Sequence, residues 1–166
     1  MATRDDELGQ ISTDADGTIT LRFVRRLAHA PPRVWAALTE TEQIARWFMP
    51  GTVEPRIGGH VKFESEEEGG TLGEVMMWNP PRQLEYSWLR AGGAGPRSVV
   101  AWRLEADGDG TLLTLEHRGV DNETASGYGA GWHDFLDRLP RHLAGEDALN
   151  WTGHHAELVE AYRALT

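Results

Sequence analysis

The hydrophobic positions change period three times along this chain. From Thr18, "TITLRFVRRL" alternates, with Ile19, Leu21 and Phe23 on one side and Thr20, Arg22 and Val24 on the other, as in a strand with one covered face. "HAPPRVWAAL" follows, where Pro31 and Pro32 suit a helix entrance and Val34, Trp35 and Leu38 supply an apolar face. Ile44, Trp47 and Phe48 recur at helical spacing in a second short helix, for which Thr39 or Thr41 is the expected cap and Pro50 and Gly51 the stop.

Between Gly51 and Arg118 the period falls to two, and turn residues at intervals predict an antiparallel meander. "TVEP" is short, and "HVKFESE" puts Val61 and Phe63 on one face. "TLGEVMMWN" pairs Val75 with Met77 on one face and Met76 with Trp78 on the other, which leaves Glu74 outward. Beyond the turn at Pro80 and Pro81, Leu84, Tyr86 and Trp88 alternate with Gln83, Glu85 and Ser87. The glycine-rich "RAGGAGPR" leads to a strand with Val100, Trp102 and Leu104 facing one way, and "DGDG" at Asp107 to Gly110 is a hairpin signal. Leu113, Leu115 and His117 then share a face, which places a histidine on an apolar surface.

The last change of period starts at Tyr128. Tyr128, Trp132, Phe135, Leu136, Leu139 and Leu143 form a continuous stripe on a long helix, which Pro140 is expected to kink or shorten and Gly145 to end. A final segment, "HHAELVEAYRAL", groups Leu158, Val159, Tyr162 and Leu165, an apolar face that must be buried on its own domain or in a symmetric dimer. The chain divides into a loose N-terminal arm (1–17), one domain (18–144) and a C-terminal helical extension (145–166).

Composition narrows the function classes. The chain has no cysteine, which excludes disulfides, thiolate metal sites and a catalytic thiol and leaves a cytoplasmic address as the default. A net charge of -10, with Lys62 the sole lysine, opposes attraction to nucleic acid and to anionic membranes, and no apolar stretch reaches the length of a membrane span. "GYGAGW", from Gly127 to Trp132, fails the dinucleotide pattern because Trp132 stands at its last glycine; these glycines are expected to let the long helix start close against the sheet. "ESEEEGG", from Glu64 to Gly70, reads as a solvated hairpin. His154 and His155 are adjacent and so lack the spacing of helical metal ligands, and there is no nucleophile elbow; no metal and no cofactor are expected.

One strand, two short helices, about six further antiparallel strands and a long helix make an α+β chain whose sheet needs that helix as its cover. "APPRVWAALTETEQIARWFMPG", "GGHVKFE", "GEVMMWNPPRQLEYSW", "VVAWRLEADGDGTLLTLEHRGV" and "GWHDFLDRL", in that order, resemble the START-like, birch-pollen-allergen-like (SRPBCC) superfamily, and within it the activator of heat-shock-protein-ninety ATPase homologue group. The resemblance spans roughly residues 18 to 144. It implies a helix-grip fold, a curved antiparallel sheet of about seven strands wrapped around the C-terminal helix, with a cavity between the two in many members.

On that reading Trp47, Phe48 and Met49 line the cavity mouth, which accounts for three large apolar side chains at a helix break. Met77, Tyr86, Trp88, Trp102 and His117 from the strands and Trp132, Phe135 and Leu136 from the helix form its walls. Each of these also fits a side-chain-filled core. His117 is a candidate general base or ligand donor, against the commoner role of a histidine bonded to backbone; no catalytic residue is assigned.

Three functions follow as expectations. The first is a binding module for a small apolar or aromatic molecule, which needs a continuous pocket. The second is a cyclase- or hydrolase-type enzyme, which needs at least two polar groups converging in that cavity. The third is a chaperone partner, as the group's name implies; eukaryotic chaperone activators carry an additional N-terminal domain, whereas about 17 polar residues precede the first strand here. A pull-down with the cell's own chaperone separates the third from the others.

Overall fold

The computed structural model describes residues 8–65, 69–90, 97–151 and 153–166, so the centres of "ESEEEGG" and of the glycine-rich loop lie outside the described residues. Within them the chain runs through β1 (Gln10–Thr13), β2 (Ile19–Leu27), α1 (Pro31–Thr39), α2 (Thr41–Trp47), β3 (Gly51–Val53), β4 (His60–Phe63), β5 (Thr71–Asn79), β6 (Gln83–Arg90), β7 (Ser98–Asp107) and β8 (Gly110–Val120). Two helices follow, α3 (Ala125–Leu143) and α4 (His155–Arg163). The strands form one antiparallel sheet of eight in the order β1-β2-β8-β7-β6-β5-β4-β3.

Alternation decides which face is covered. Leu21, Phe23, Leu84, Tyr86, Trp88, Val100, Trp102, Leu113, Leu115 and His117 are all buried, and α3 lies over them with Trp132, Leu136 and Leu139 in the same core. The opposite face is polar: Arg118 bonds Glu85 at 2.7 Å and lies 3.5 Å from Glu116. Such part-exposed pairs contribute about 0–1 kcal/mol each, so the helix-covered face holds the fold together.

Several expectations are corrected. Gln10–Thr13, assigned to the loose arm, pairs with Ile19–Arg22 as β1 and is the eighth strand of the expected antiparallel sheet. Met77 does not face α3. The β5–β6 register shifts between Val75, opposite Tyr86, and Met77, opposite Glu85, so the alternation changes phase. Trp78, opposite Leu84, takes the inward side and packs edge-on against Trp35 with ring centroids 5.1 Å apart.

Neither Thr39 nor Thr41 caps α2; Glu40 occupies the cap position and the Thr39 hydroxyl instead donates to the Trp35 carbonyl. Pro140 does not shorten α3, which continues through it to Leu143. Gly145 ends that helix as expected, with φ of 83°, its N–H bonded to the His142 carbonyl and the Glu146 N–H to the Arg141 carbonyl, the paired bonds of a Schellman motif.

The extension packs on its own domain. Leu158 and Tyr162 of α4 are buried against α3. The Tyr162 hydroxyl accepts the Gly9 N–H at 2.7 Å and lies 2.7 Å from His133 Nδ1, which joins the chain's two ends to α3. No helix among the described residues is long and apolar enough to cross a membrane.

Candidate functional site

The break after Trp47 divides three neighbouring side chains between two roles. Trp47 is 1% exposed and its indole N–H donates to the Ala37 carbonyl at 2.8 Å, so it fastens α2 to α1 rather than lining a mouth. Phe48, where the helix ends, lies beside Trp47 with ring centroids 5.3 Å apart and reaches on to α3. Its ring stacks on Trp132 with centroids 5.5 Å apart and planes at 9°, and it meets Phe135 edge-on at 4.4 Å and Phe63 at 5.0 Å. Gly51 then lets β3 pair closely with β4, because a Cβ there would sit 2.3 Å from the Lys62 carbonyl oxygen.

Phe48 and Met49 form one wall of a cleft of about 430 Å³. Trp88 and Arg90 come to it from β6, Tyr128, Trp132 and Phe135 from α3, and His155, Val159 and Arg163 from α4. Gly127 and Gly131 lie on its α3 side, and a Cβ at either would meet nothing within 4 Å. Their expected role in close helix–sheet packing is thus corrected: they leave space in the cleft. The close approach falls to Gly129, where a Cβ would lie 2.8 Å from the Tyr162 ring of α4.

Five of the expected wall residues therefore share one cavity: Phe48, Met49, Trp88, Trp132 and Phe135. Tyr86, Trp102 and His117 lie in a buried layer outside its lining, Trp47 and Leu136 belong to the core, and Met77 is on the other face of the sheet. Much of the expected cavity is thus filled by side chains, and the open part is confined to one end of α3. Tyr128, Arg90 and the α4 residues were missing from the expected site. Tyr128 was legible as the first residue of the helix stripe, whereas nothing local in the sequence placed α4 beside it.

The polar groups of the buried layer satisfy one another. Trp132 Nε1–H donates to His117 Nδ1 at 3.0 Å. The imidazole hydrogen accordingly sits on Nε2, which lies 2.7 Å from Ser98 Oγ, and the Ser98 hydroxyl donates to the Trp88 carbonyl at 3.3 Å. His117 is fully buried, and that burial pushes its pKa down to about 3, so the ring is neutral near pH 7. The Tyr86 hydroxyl accepts the Trp102 indole N–H at 3.0 Å, and burial raises its pKa, which keeps it protonated. Both nitrogens of His117 are thus engaged by neighbouring side chains, Trp132 and Ser98. The Trp88 indole N–H donates to the Tyr128 hydroxyl at 3.2 Å, so the indole N–H groups of both lining tryptophans are bonded within the protein.

A family model described as "Activator of Hsp90 ATPase homolog 1-like protein" matches residues 28–144. The crystal structure of CalU16 from Micromonospora echinospora is 30% identical, with a TM-score of 0.74 over 95% of this chain and 94% of that one. The solution structure of CalU16 is 28% identical, with a TM-score of 0.76 over 99% and 97%. The conserved protein of unknown function EF2215 from Enterococcus faecalis, 19% identical with a TM-score of 0.74 over 95% and 92%, shares the fold. Comparison with curated protein sequences gives no significant match.

Proposed function

The chain belongs to the Activator of Hsp90 ATPase homolog 1-like family, and from that premise we propose that it is a binding module for a small apolar or aromatic molecule, held in the cleft between the end of β6, α3 and α4. The observation that carries this reading is the lining. Phe48, Trp88, Tyr128, Trp132 and Phe135 surround a volume of about 430 Å³, within the roughly 300–1,000 Å³ of small-molecule sites. Aromatic walls with a few polar groups beside them suit a flat apolar body.

N-phenyl-1-naphthylamine, a neutral dye that brightens in apolar surroundings, tests this. It is expected to bind saturably near one equivalent and to quench tryptophan emission, since Trp88 and Trp132 line the cleft. The companion variant is Gly131→Leu, which projects a side chain into open space while replacing a poor helix former, at little cost to folding. Its affinity for the dye should fall at least about tenfold, or ~1.4 kcal/mol. Dye emission that rises without saturation, or that is the same for Gly131→Leu, overturns the reading.

A further inference from the structure

We propose that the molecule held in this cleft is an anionic aromatic: a flat ring system against Phe48, Trp132 and Phe135 whose acid group is met at the mouth by Arg90 and Arg163. The inference rests on the binding-module reading and adds the ligand's charge class. Its basis is where two guanidinium groups stand: in a chain that carries -10 as a whole, Arg90 and Arg163 both line an otherwise aromatic cleft whose described lining holds one carboxylate, Glu123.

The cations come from two separate elements, each for a geometric reason. Arg90 follows Trp88 by two positions on β6, so it continues the inward-facing row just where the strand ends. On α4, His155, Val159 and Arg163 stand at i, i+4 and i+8 and form one stripe along the cleft, while Leu158 and Tyr162 hold the helix down on α3. An apolar residue between two basic ones is thus presented to the cavity. Arg163 bonds Glu160 at 2.6 Å, but both side chains are largely exposed, and an i,i+3 surface pair of this kind is weak enough for a ligand acid to share the guanidinium. Guanidinium groups match carboxylates and related acids in two-pronged geometry, and a cleft with apolar walls concentrates their field.

The test uses two compounds with the same ring system, 2-naphthoic acid and 2-naphthalenemethanol, each titrated to displace N-phenyl-1-naphthylamine at pH 7.5 and low salt. The acid is expected to compete at a concentration at least tenfold below the alcohol, with the advantage shrinking as salt rises. Arg163→Gln and Arg90→Gln should each cut the acid's advantage over the alcohol severalfold, and circular dichroism checks that both variants are folded. If the alcohol competes as well as the acid, the charge class is wrong and the aromatic cleft stands. If the acid keeps its advantage in both arginine variants, the assignment of those residues is overturned. Dye that binds but is displaced by neither compound also overturns the charge class, and failure of all three to bind overturns the cleft reading together with this one.

Discussion

Replacing Trp132 with alanine is expected to destabilise the protein by about 3–5 kcal/mol, as for other buried aromatic truncations, measured by urea denaturation at pH 7.5. Trp132 both packs and donates: its ring contacts Phe48, Trp88 and Trp102, and its indole N–H is the partner of His117 Nδ1. Trp132→Phe separates the two roles. It keeps an aromatic ring but leaves a buried acceptor unsatisfied, a loss of about 1–3 kcal/mol.

His117 makes a further part of the same result visible as a pH dependence. Its pKa is near 3 in the folded protein and near 6.5 when exposed, so between these values the unfolded chain binds the extra proton. The stability contributed by the neutral ring is complete above pH 6.5 and is lost as pH falls towards 3, by about 2–3 kcal/mol on going from pH 7 to 4.5. His142, depressed by burial and by Arg33 and Arg46, acts with the same sign. His117→Leu removes only the first contribution. The gap between wild type and His117→Leu should therefore be wide at pH 7 and narrow at pH 4.5, and a gap independent of pH would show that His117 is not held neutral by the fold.

The strands and their covered face were legible because burial on one side imposes a period of two, and Leu84, Tyr86, Val100, Trp102, Leu113 and Leu115 obey it. Met77 escaped because a bulge depends on the partner strand. A Cβ at Gly73 would lie 1.8 Å from the Ser87 carbonyl oxygen, and the Glu74 N–H bonds Ser87 Oγ, contacts 13 or more residues away in sequence that no local period encodes. The edge strand β1, "QIST", is mostly exposed and has no apolar alternation to announce it. In the site, the aromatic wall was legible from helix and strand spacing. The partners of His117 were not: Ser98 and Trp132 reach it from 19 and 15 residues away. The apolar face of α4 was recognised, but where a helix docks is decided by the surface it meets, and here that surface is prepared by the missing side chain of Gly129.

That docking yields the second large effect. Tyr162→Ala should cost about 3–5 kcal/mol, because the ring is wholly buried, packs 6.1 Å from Phe23 and fills the space over Gly129. Tyr162→Phe should cost about 1–3 kcal/mol through the hydroxyl alone, since it leaves the buried Gly9 N–H without its acceptor and removes the bond to His133 Nδ1. Burial pushes the Tyr162 pKa up to about 12, so the hydroxyl remains protonated and able to serve both neighbours over the working pH range. Hydrogen exchange gives a local readout: the Gly9 amide should exchange faster in Tyr162→Phe, while amides of the central β7–β8 pair slow to exchange in the wild type remain protected. Because α4 supplies His155, Val159 and Arg163 to the cleft, loosening its anchor should also weaken dye binding in proportion to the loss of that wall. Gly129→Ala approaches the same contact from α3 and should reproduce both effects despite alanine's better helix propensity. Unchanged Gly9 exchange in Tyr162→Phe would mean that the hydroxyl does not tie the N-terminal strand to α4, and the apolar contacts of Leu158 and the Tyr162 ring would then be what holds the helix against the cleft.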